Sequence, residues 1–270
     1  MTHDPGPAFR ALHKKGDPFI LANAWDIGSA KMLAKLGAPA IATSSAAHAF
    51  TLGRTDGGTV SRDEALAHAA DLVAAVDVPV SGDFENGFGD DPETCAETVR
   101  LAAEAGLAGI SIEDTNFAAS NSYDFDLAVE RIRAAAAAAR ALPGDFVLVA
   151  RADGVLEKNY DMAEAIRRIQ AFDEAGADCL YVPMPPGMQS LRKVVQATDK
   201  PVNVLAAGPF AKHSRDEYAT MGIARISLGS ALARVTHRII HDASLTMFEH
   251  GDFTLLTHSI PGAEGDKFMT

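Results

Sequence analysis

Three carboxylates, Asp83, Glu85 and Glu113, stand at the ends of two apolar runs, and an arginine, Arg151, ends another. Like charges brought close together repel and hold on to their protons, and a divalent cation removes that conflict. With oxygen donors only and no Cys or His among them, the set favours Mg2+ or Mn2+ over zinc. Magnesium keeps several of its own waters, so some of these contacts would be water-bridged. The planar fork of Arg151 suits a substrate carboxylate bidentately. Plainer roles compete. Individual acids could cap helices or pair with Arg151, and Arg151 could sit in a buried ion pair with Glu113 or Asp153. Further polar residues collect at similar places: Thr43-Ser44-Ser45, Ser81-Gly82-Asp83 through Gly87, Glu113-Asp114 and Arg151-Ala152-Asp153.

The elements that must position these groups follow one repeating pattern. Small residues and a glycine end a helix, and a short apolar strand comes next. It occurs at Leu36–Ser44, Ala105–Glu113, Ala175–Pro183 and Met221–Gly229. Glycine there is a C-cap able to adopt the left-handed conformation, and the apolar run suits a strand buried on both faces. Strands are also expected at Phe19–Asn23, Val78–Phe84, Phe146–Ala152 and Pro201–Leu205. Helical patterns separate them, among them Ile27–Leu36, Arg62–Val76, Pro92–Ala105, Leu127–Ala141, Met162–Ala175 and Ser230–His241. Ser61 with Glu64 forms a capping box, and Asp91 before Pro92 sets an N-cap ahead of a first-turn proline. Eight strands alternating with eight helices imply right-handed βαβ units and a parallel sheet. The fold class is α/β, a (β/α)8 TIM barrel, with an open doubly wound sheet as the alternative. One domain is expected over residues 1–270, with residues after about 242 as a C-terminal helical extension. Catalytic groups of such barrels lie at the C-terminal strand ends, where the polar residues cluster.

The bulk properties narrow the partners. The 270 residues are 47% hydrophobic, enough for a large core, and carry a net charge of −12 with a pI near 5.1. Such a surface argues against nucleic-acid or anionic-membrane partners. An anionic small-molecule carboxylate would need a local cation to hold it. Cys95 and Cys179 form neither a disulfide framework nor a CxxC pair, so reduced thiols in the cytoplasm are expected. The first ten residues contain no apolar signal-peptide core, and no run of about 18 apolar residues suggests a membrane span.

Several ordered motifs together resemble the isocitrate lyase/phosphoenolpyruvate mutase superfamily. They are Asn23-Ala24-Trp25-Asp26, Ser44-Ser45, Leu52-Gly53 leading to Asp56, Asp83-Phe84-Glu85-Asn86-Gly87-Phe88-Gly89, Ile112-Glu113-Asp114 and Val149-Ala150-Arg151. The resemblance runs from about Phe19 to the eighth strand. It implies Mg2+ held largely through water by Asp56, Asp83, Glu85 and Glu113. It also implies a substrate carboxylate and oxo group on the backbone around Ser44, Ser45 and Ala46, with Arg151 binding substrate as well. A loop at about Thr115–Asp124 would close over the site. Tetramers built from dimers that swap the eighth helix, here the segment after about Ser230, are the family's usual assembly. Trp25 could pack under the substrate or simply in the barrel mouth.

The departures from the family pattern separate its activities. The isocitrate and methylisocitrate lyases carry a Lys-Lys/Arg-Cys-Gly-His loop, whereas the matching stretch here, Asn116–Tyr123, has no Cys, His or Lys. Asn121-Ser122 resembles the gating loop of phosphoenolpyruvate mutase and phosphonopyruvate hydrolase, but a lysine usual there is Ala119. The metal motif is Asp-x-Glu, and the longer Glu85 reaches a metal only with rearrangement. The expected activity is a Mg-dependent carbon–carbon lyase acting beside a 2-oxo acid through a pyruvate-like enolate, like an oxaloacetate decarboxylase. A phosphorus–carbon mutase or hydrolase is the alternative. A phosphosugar barrel, with phosphate cradles at Gly208 and Gly229-Ser230, and a non-catalytic 2-oxo-acid-binding barrel are the rivals. His237 and His241 read as helix-face residues, His48 as structural, His213 as surface, and both cysteines as small core residues.

Overall fold

The computed structural model describes residues 4–270, and its strands close into a barrel. In chain order the strands are β1 (Phe19–Asn23), β2 (Ile41–Ala42), β3 (Val80–Asp83), β4 (Gly109–Glu113), β5 (Thr115–Asn116), β6 (Asn121–Ser122), β7 (Val147–Arg151), β8 (Cys179–Tyr181), β9 (Val202–Leu205) and β10 (Arg225–Ser227). Eight of them are parallel neighbours in the closed order β1-β10-β9-β8-β7-β4-β3-β2. The short antiparallel pair β5–β6 is a hairpin standing after β4. Closure removes the open-sheet alternative.

The predicted glycine stops behave as helix terminators. Gly37, Gly106, Gly176 and Gly222 all have positive φ, between 87° and 104°, a region a side chain disfavours. The chain therefore leaves each helix at a fixed angle and enters the next strand. Ser61 and Glu64 make the reciprocal capping box at the head of helix Arg62–Ala75. Asp91 stands at the N-cap position of helix Pro92–Glu104, but its side chain makes no cap hydrogen bond, so the proline alone pre-sets that first turn.

Burial sorts into two layers. One apolar cluster lies between the strands and the surrounding helices. A second lines the barrel interior and includes Phe19, Leu21, Ala42, Val147, Val149 and Cys179. Helix Gly6–Leu12 closes its N-terminal end by inserting Phe9, which is fully buried. Burying a phenylalanine side chain contributes about 2–3 kcal/mol. That helix, helix Ser45–Thr51 and helix Gly262–Met269 lie outside the repeating pattern that the sequence makes visible.

The last long helix runs from Ala231 to His250 without a break near 242. Nothing in the segment stops it before Gly251, which takes φ +63° as its cap. Val235, Ile239, Ile240 and Phe248 on this helix are exposed. The chain then returns, and helix Gly262–Met269 docks on helix Ile27–Lys35. There Lys31 Nζ donates to the Met269 carbonyl at 2.8 Å and Lys35 Nζ to that of Lys267 at 2.9 Å. Among the described residues, no helix is long and apolar enough to cross a membrane.

Candidate active site

Arg151, the last residue of β7, is the hub of the C-terminal mouth. Its Nη1 donates to Asp83 Oδ1 at 2.7 Å, its Nη2 lies 2.9 Å from Glu113 Oε2, and its Nε and Nη2 hold both oxygens of Asp153 at 3.1 and 2.6 Å. The guanidinium also lies 5.3 Å from the Tyr181 ring centroid. Burial opposes its charge, but Asp153, Glu113 and Asp83 more than offset that and keep it protonated. The ion-pair role is therefore present, with the fork of Arg151 shared among three carboxylates.

The acids around it carry more negative charge than one arginine balances. Burial is the main reason that Glu113 sits well above the usual carboxylate range, Glu85 at about 7 and Asp153 at about 6. Asp56, although exposed at the rim, is also pushed up, by partial loss of water in the mouth and by Asp83. Asp83 is held from the other side by Ser45, whose backbone N–H and hydroxyl donate to Oδ2 at 2.9 and 3.0 Å. Its own N–H donates to Thr43 Oγ1 at 2.8 Å. The serine pair after β2 thus fixes the acid that ends β3.

Glu85 owes its position to the turn after β3. It takes φ +46°, a conformation costing on the order of 1–3 kcal/mol for a non-glycine residue. The N–H of Gly58 caps both carboxylate oxygens at 3.2 Å. Buried Arg131 braces the same turn by donating to the carbonyls of Asn86, Gly89 and Asp90. Tyr123 closes the brace, accepting from Asn86 Nδ2 at 2.9 Å and donating to Asp90 Oδ1 at 2.7 Å.

Two connected spaces result. An upper cavity of about 480 Å3 is lined by Asp56, Glu85, Glu113, Arg151 and Asp153, with Phe117 and Ser120 from the hairpin. A lower chamber of about 170 Å3 takes in Asp83, Ser44, Ser45 and Ala46. The four expected metal acids therefore share one mouth. Among the described residues no three His, Cys, Asp or Glu side chains converge into a direct cage. An oxygen-only ring with room for water fits a cation that keeps its hydration, as Mg2+ does.

The other predicted residues divide. Ser44 caps helix Ser45–Thr51 by accepting from Ala47 N–H at 3.3 Å, and Ala46 lines the lower chamber. Asn121 and Ser122 sit on β6 and line neither space themselves, but Ser122 Oγ accepts at 3.3 Å from Asn159, which lines the upper cavity. Trp25 is half-buried and lines neither space. His48 is buried and stacks on His68 with ring centroids 3.8 Å apart. His237 and His241 lie on the last long helix, beside Phe50 and Asp242. His213 pairs with Glu217, and both cysteines are buried and unpaired. The amides of Leu228 and Gly229 both donate to Asn23 Oδ1, at 2.8 and 2.9 Å. A phosphate cradle there would have to displace that side chain.

Sequence reasoning passed over the support beneath Arg151. Asp114 accepts from the Asp153 backbone at 2.8 Å, from Tyr160 Oη at 2.7 Å and from Arg168 Nη1 at 2.8 Å. Tyr160 and Arg168 stand on either side of Asp161, which caps helix Met162–Glu174, and in the sequence they look like ordinary helix-flank residues. The signal for Asp114 was its place beside Glu113 at a strand end.

Comparisons with known proteins agree with this architecture. The family profile described as phosphoenolpyruvate phosphomutase matches residues 9–248. Escherichia coli 2-methylisocitrate lyase is 30% identical over 232 residues, covering 82% of this chain and 77% of that one. Oxaloacetate decarboxylase of Paraburkholderia xenovorans is 26% identical over 268 residues, covering 96% and 86%. A crystal structure from Burkholderia cenocepacia, assigned only broadly as a lyase/mutase, superposes with a TM-score of 0.94 at 44% identity, covering 98% of this chain and 95% of that one.

Proposed function

Because the chain belongs to the isocitrate lyase/phosphoenolpyruvate mutase superfamily, we propose that it is a Mg2+-dependent lyase cleaving a carbon–carbon bond beside a 2-oxo acid. Small oxo or hydroxy di- and tricarboxylates are the substrate class, and the action is like that of an oxaloacetate decarboxylase. The observation that carries this reading is the charge imbalance of the mouth. Asp56, Asp83, Glu85 and Glu113 face a space large enough for such a substrate, with Arg151 as their shared cation.

Mg2+, or Mn2+ in its place, would be held by those four acids, mostly through water, and would supply Lewis-acid polarisation of the substrate oxo group. The chain's own residues do the rest. The start of helix Ser45–Thr51, at Ser44, Ser45 and Ala46, receives the substrate carboxylate. Arg151 stabilises negative charge that grows on the departing pyruvate-like fragment, where preorganised cations count most. Phe117 and Ser120 bring the hairpin over the cavity and exclude water. Asn121 and Ser122 act on the substrate only when the hairpin shifts inward. The hairpin presents no cysteine general acid, which fits a reaction that needs none.

A phosphorus–carbon mutase or hydrolase is the second reading, favoured by the match to the mutase family profile and by Asn121-Ser122. The exposed apolar face of helix Ala231–His250 supports a homo-oligomer in which that helix is exchanged between protomers, as a dimer of dimers. Light scattering that returns a monomer removes this assembly.

The deciding experiment is a turnover panel with and without Mg2+. It covers oxaloacetate, phosphonopyruvate, methylisocitrate, isocitrate and alkylated malates, with pyruvate, glyoxylate and phosphate as readouts. Metal-dependent pyruvate from a carbon–carbon substrate is the expected result. Phosphate release selects the second reading. Silence across the panel, with a 2-oxo acid and Mg2+ still raising the Tm, replaces catalysis with binding.

A further inference from the structure

The lower chamber contains a cation that the reaction above does not use. Arg225, the first residue of β10, lines it with only 5% of its surface exposed. Its Nε and Nη1 have no hydrogen-bond partner. Its ionisation is disfavoured, chiefly by burial. Among the described residues it makes no ion pair. The carboxylate that acts on it most strongly is Asp83, which is already joined to Arg151 at 2.7 Å.

The strand register shows how the two arginines relate. Arg225 pairs with Asn203, Asn203 with Tyr181, Tyr181 with Arg151, and Arg151 with Glu113. One polar row therefore winds around the barrel, with carboxylates crowded at the Arg151 end and absent at the Arg225 end. Asn203 donates from Nδ2 to Ser227 Oγ at 2.9 Å, while its Oδ1 has no donor. A buried guanidinium with idle donors and no counter-ion marks a chamber that is filled with something polar, since an uncompensated buried charge is costly.

We propose that this chamber is a binding site for a small monoanion, held by the Arg225 guanidinium. One negative charge neutralises the arginine. A dianion would meet Asp83 and the acids above it and be repelled. The anion is either a free halide-like ion or a carboxylate group of the substrate reaching down from the upper cavity.

Bromide tests this without turnover, so the result stands apart from the assigned reaction. In chloride-free, metal-free buffer, sodium bromide should raise the Tm above that in sodium gluconate of equal ionic strength. The rise should saturate, at about 3–5 °C when bromide reaches ten times its apparent Kd. Arg225→Met should lose that rise. If that variant does not fold, Arg225→Lys, which keeps the charge, should retain it. Bromide-soaked crystals should give an anomalous peak against the Arg225 guanidinium. Identical melting in the two salts, with no such peak, means water alone fills the chamber and overturns the proposal. Kinetics separates the two sources. Bromide that raises KM at constant kcat competes with a substrate carboxylate, and bromide that leaves KM unchanged occupies the chamber as a free ion.

Discussion

The two ends of the barrel hold similar side chains in opposite electrostatic states. At the N-terminal end, Arg10 joins Asp145 at 2.8 Å and Asp178 at 2.7 Å, and Arg140 joins Asp178 at 2.5 Å. Two arginines meet two aspartates. Arg10 holds Asp145 below the usual carboxylate range, and Asp178 also lies below it because Arg140 and Arg10 outweigh its burial. At the C-terminal end Arg151 serves three carboxylates directly, with Glu85 and Asp56 nearby, and burial lifts Glu85, Glu113, Asp153 and Asp56. Residue type does not separate structure from function here. The balance of charge does: the closed end is neutral and settled, and the open end carries more acids than its arginine balances.

The largest test of that contrast is Asp83→Ala. It should lower metal-dependent kcat by at least about 10²–10³-fold, the scale of losing a key electrostatic group, while a cooperative melt shows the fold intact. A variant as active as the parent breaks the proposed metal site. Arg151→Ala comes next. Leaving Glu113 and Asp153 buried without their cation should cost about 3–5 kcal/mol in denaturant unfolding and should raise KM. An unchanged KM removes Arg151 from substrate binding.

The closed end should respond to acid instead. His13 lies edge-on to Phe9 and Phe19, with ring centroids 4.9 and 5.0 Å away. Burial, with help from Arg225, lowers its pKa to about 3. The unfolded chain binds a proton there from about pH 6.5 downward and the folded chain does not, so His13 removes stability as pH falls from about 6.5 toward 3. The slope is about 1.4 kcal/mol per pH unit, and His13→Gln should flatten that part of the stability profile. The smallest effect is expected from Arg10→Ala. It loosens a half-exposed pair, should cost about 1 kcal/mol, and should leave turnover unchanged. A loss of turnover would mean the two ends are coupled.

The repeating scaffold was readable because glycine stops and doubly buried strands are local signals. Helices Arg62–Ala75, Pro92–Glu104 and Met162–Glu174 begin where their patterns predict and stop one residue short, whereas the last long helix runs nine residues past His241. Helix Ser45–Thr51 was hidden because Ser44-Ser45 read as chemistry, whereas Ser44 also caps that helix and Ser45 begins it. The hairpin β5–β6 was hidden because each strand has only two residues. The acids of the mouth were legible from their places at strand ends. Their support was not, since Asp114 meets Arg168 across 54 positions and Gly58 meets Glu85 across 27. Contacts of that kind leave no periodicity to find.

The closure of the barrel also sets an order of events. Strand β10 lies between β9 and β1, and the Asn23 side chain grips both flanks of β1. Its Nδ2 donates to the Thr43 carbonyl at 2.7 Å, and its Oδ1 accepts from the backbone just after β10. A chain still emerging from the ribosome lacks that last strand until residue 225 is made. Until then β1 and β9 are bare sheet edges open to pairing with other chains. Completion of the ring must therefore wait until β10, Arg225–Ser227, has been made. Premature truncation there should yield aggregates, not a smaller folded barrel.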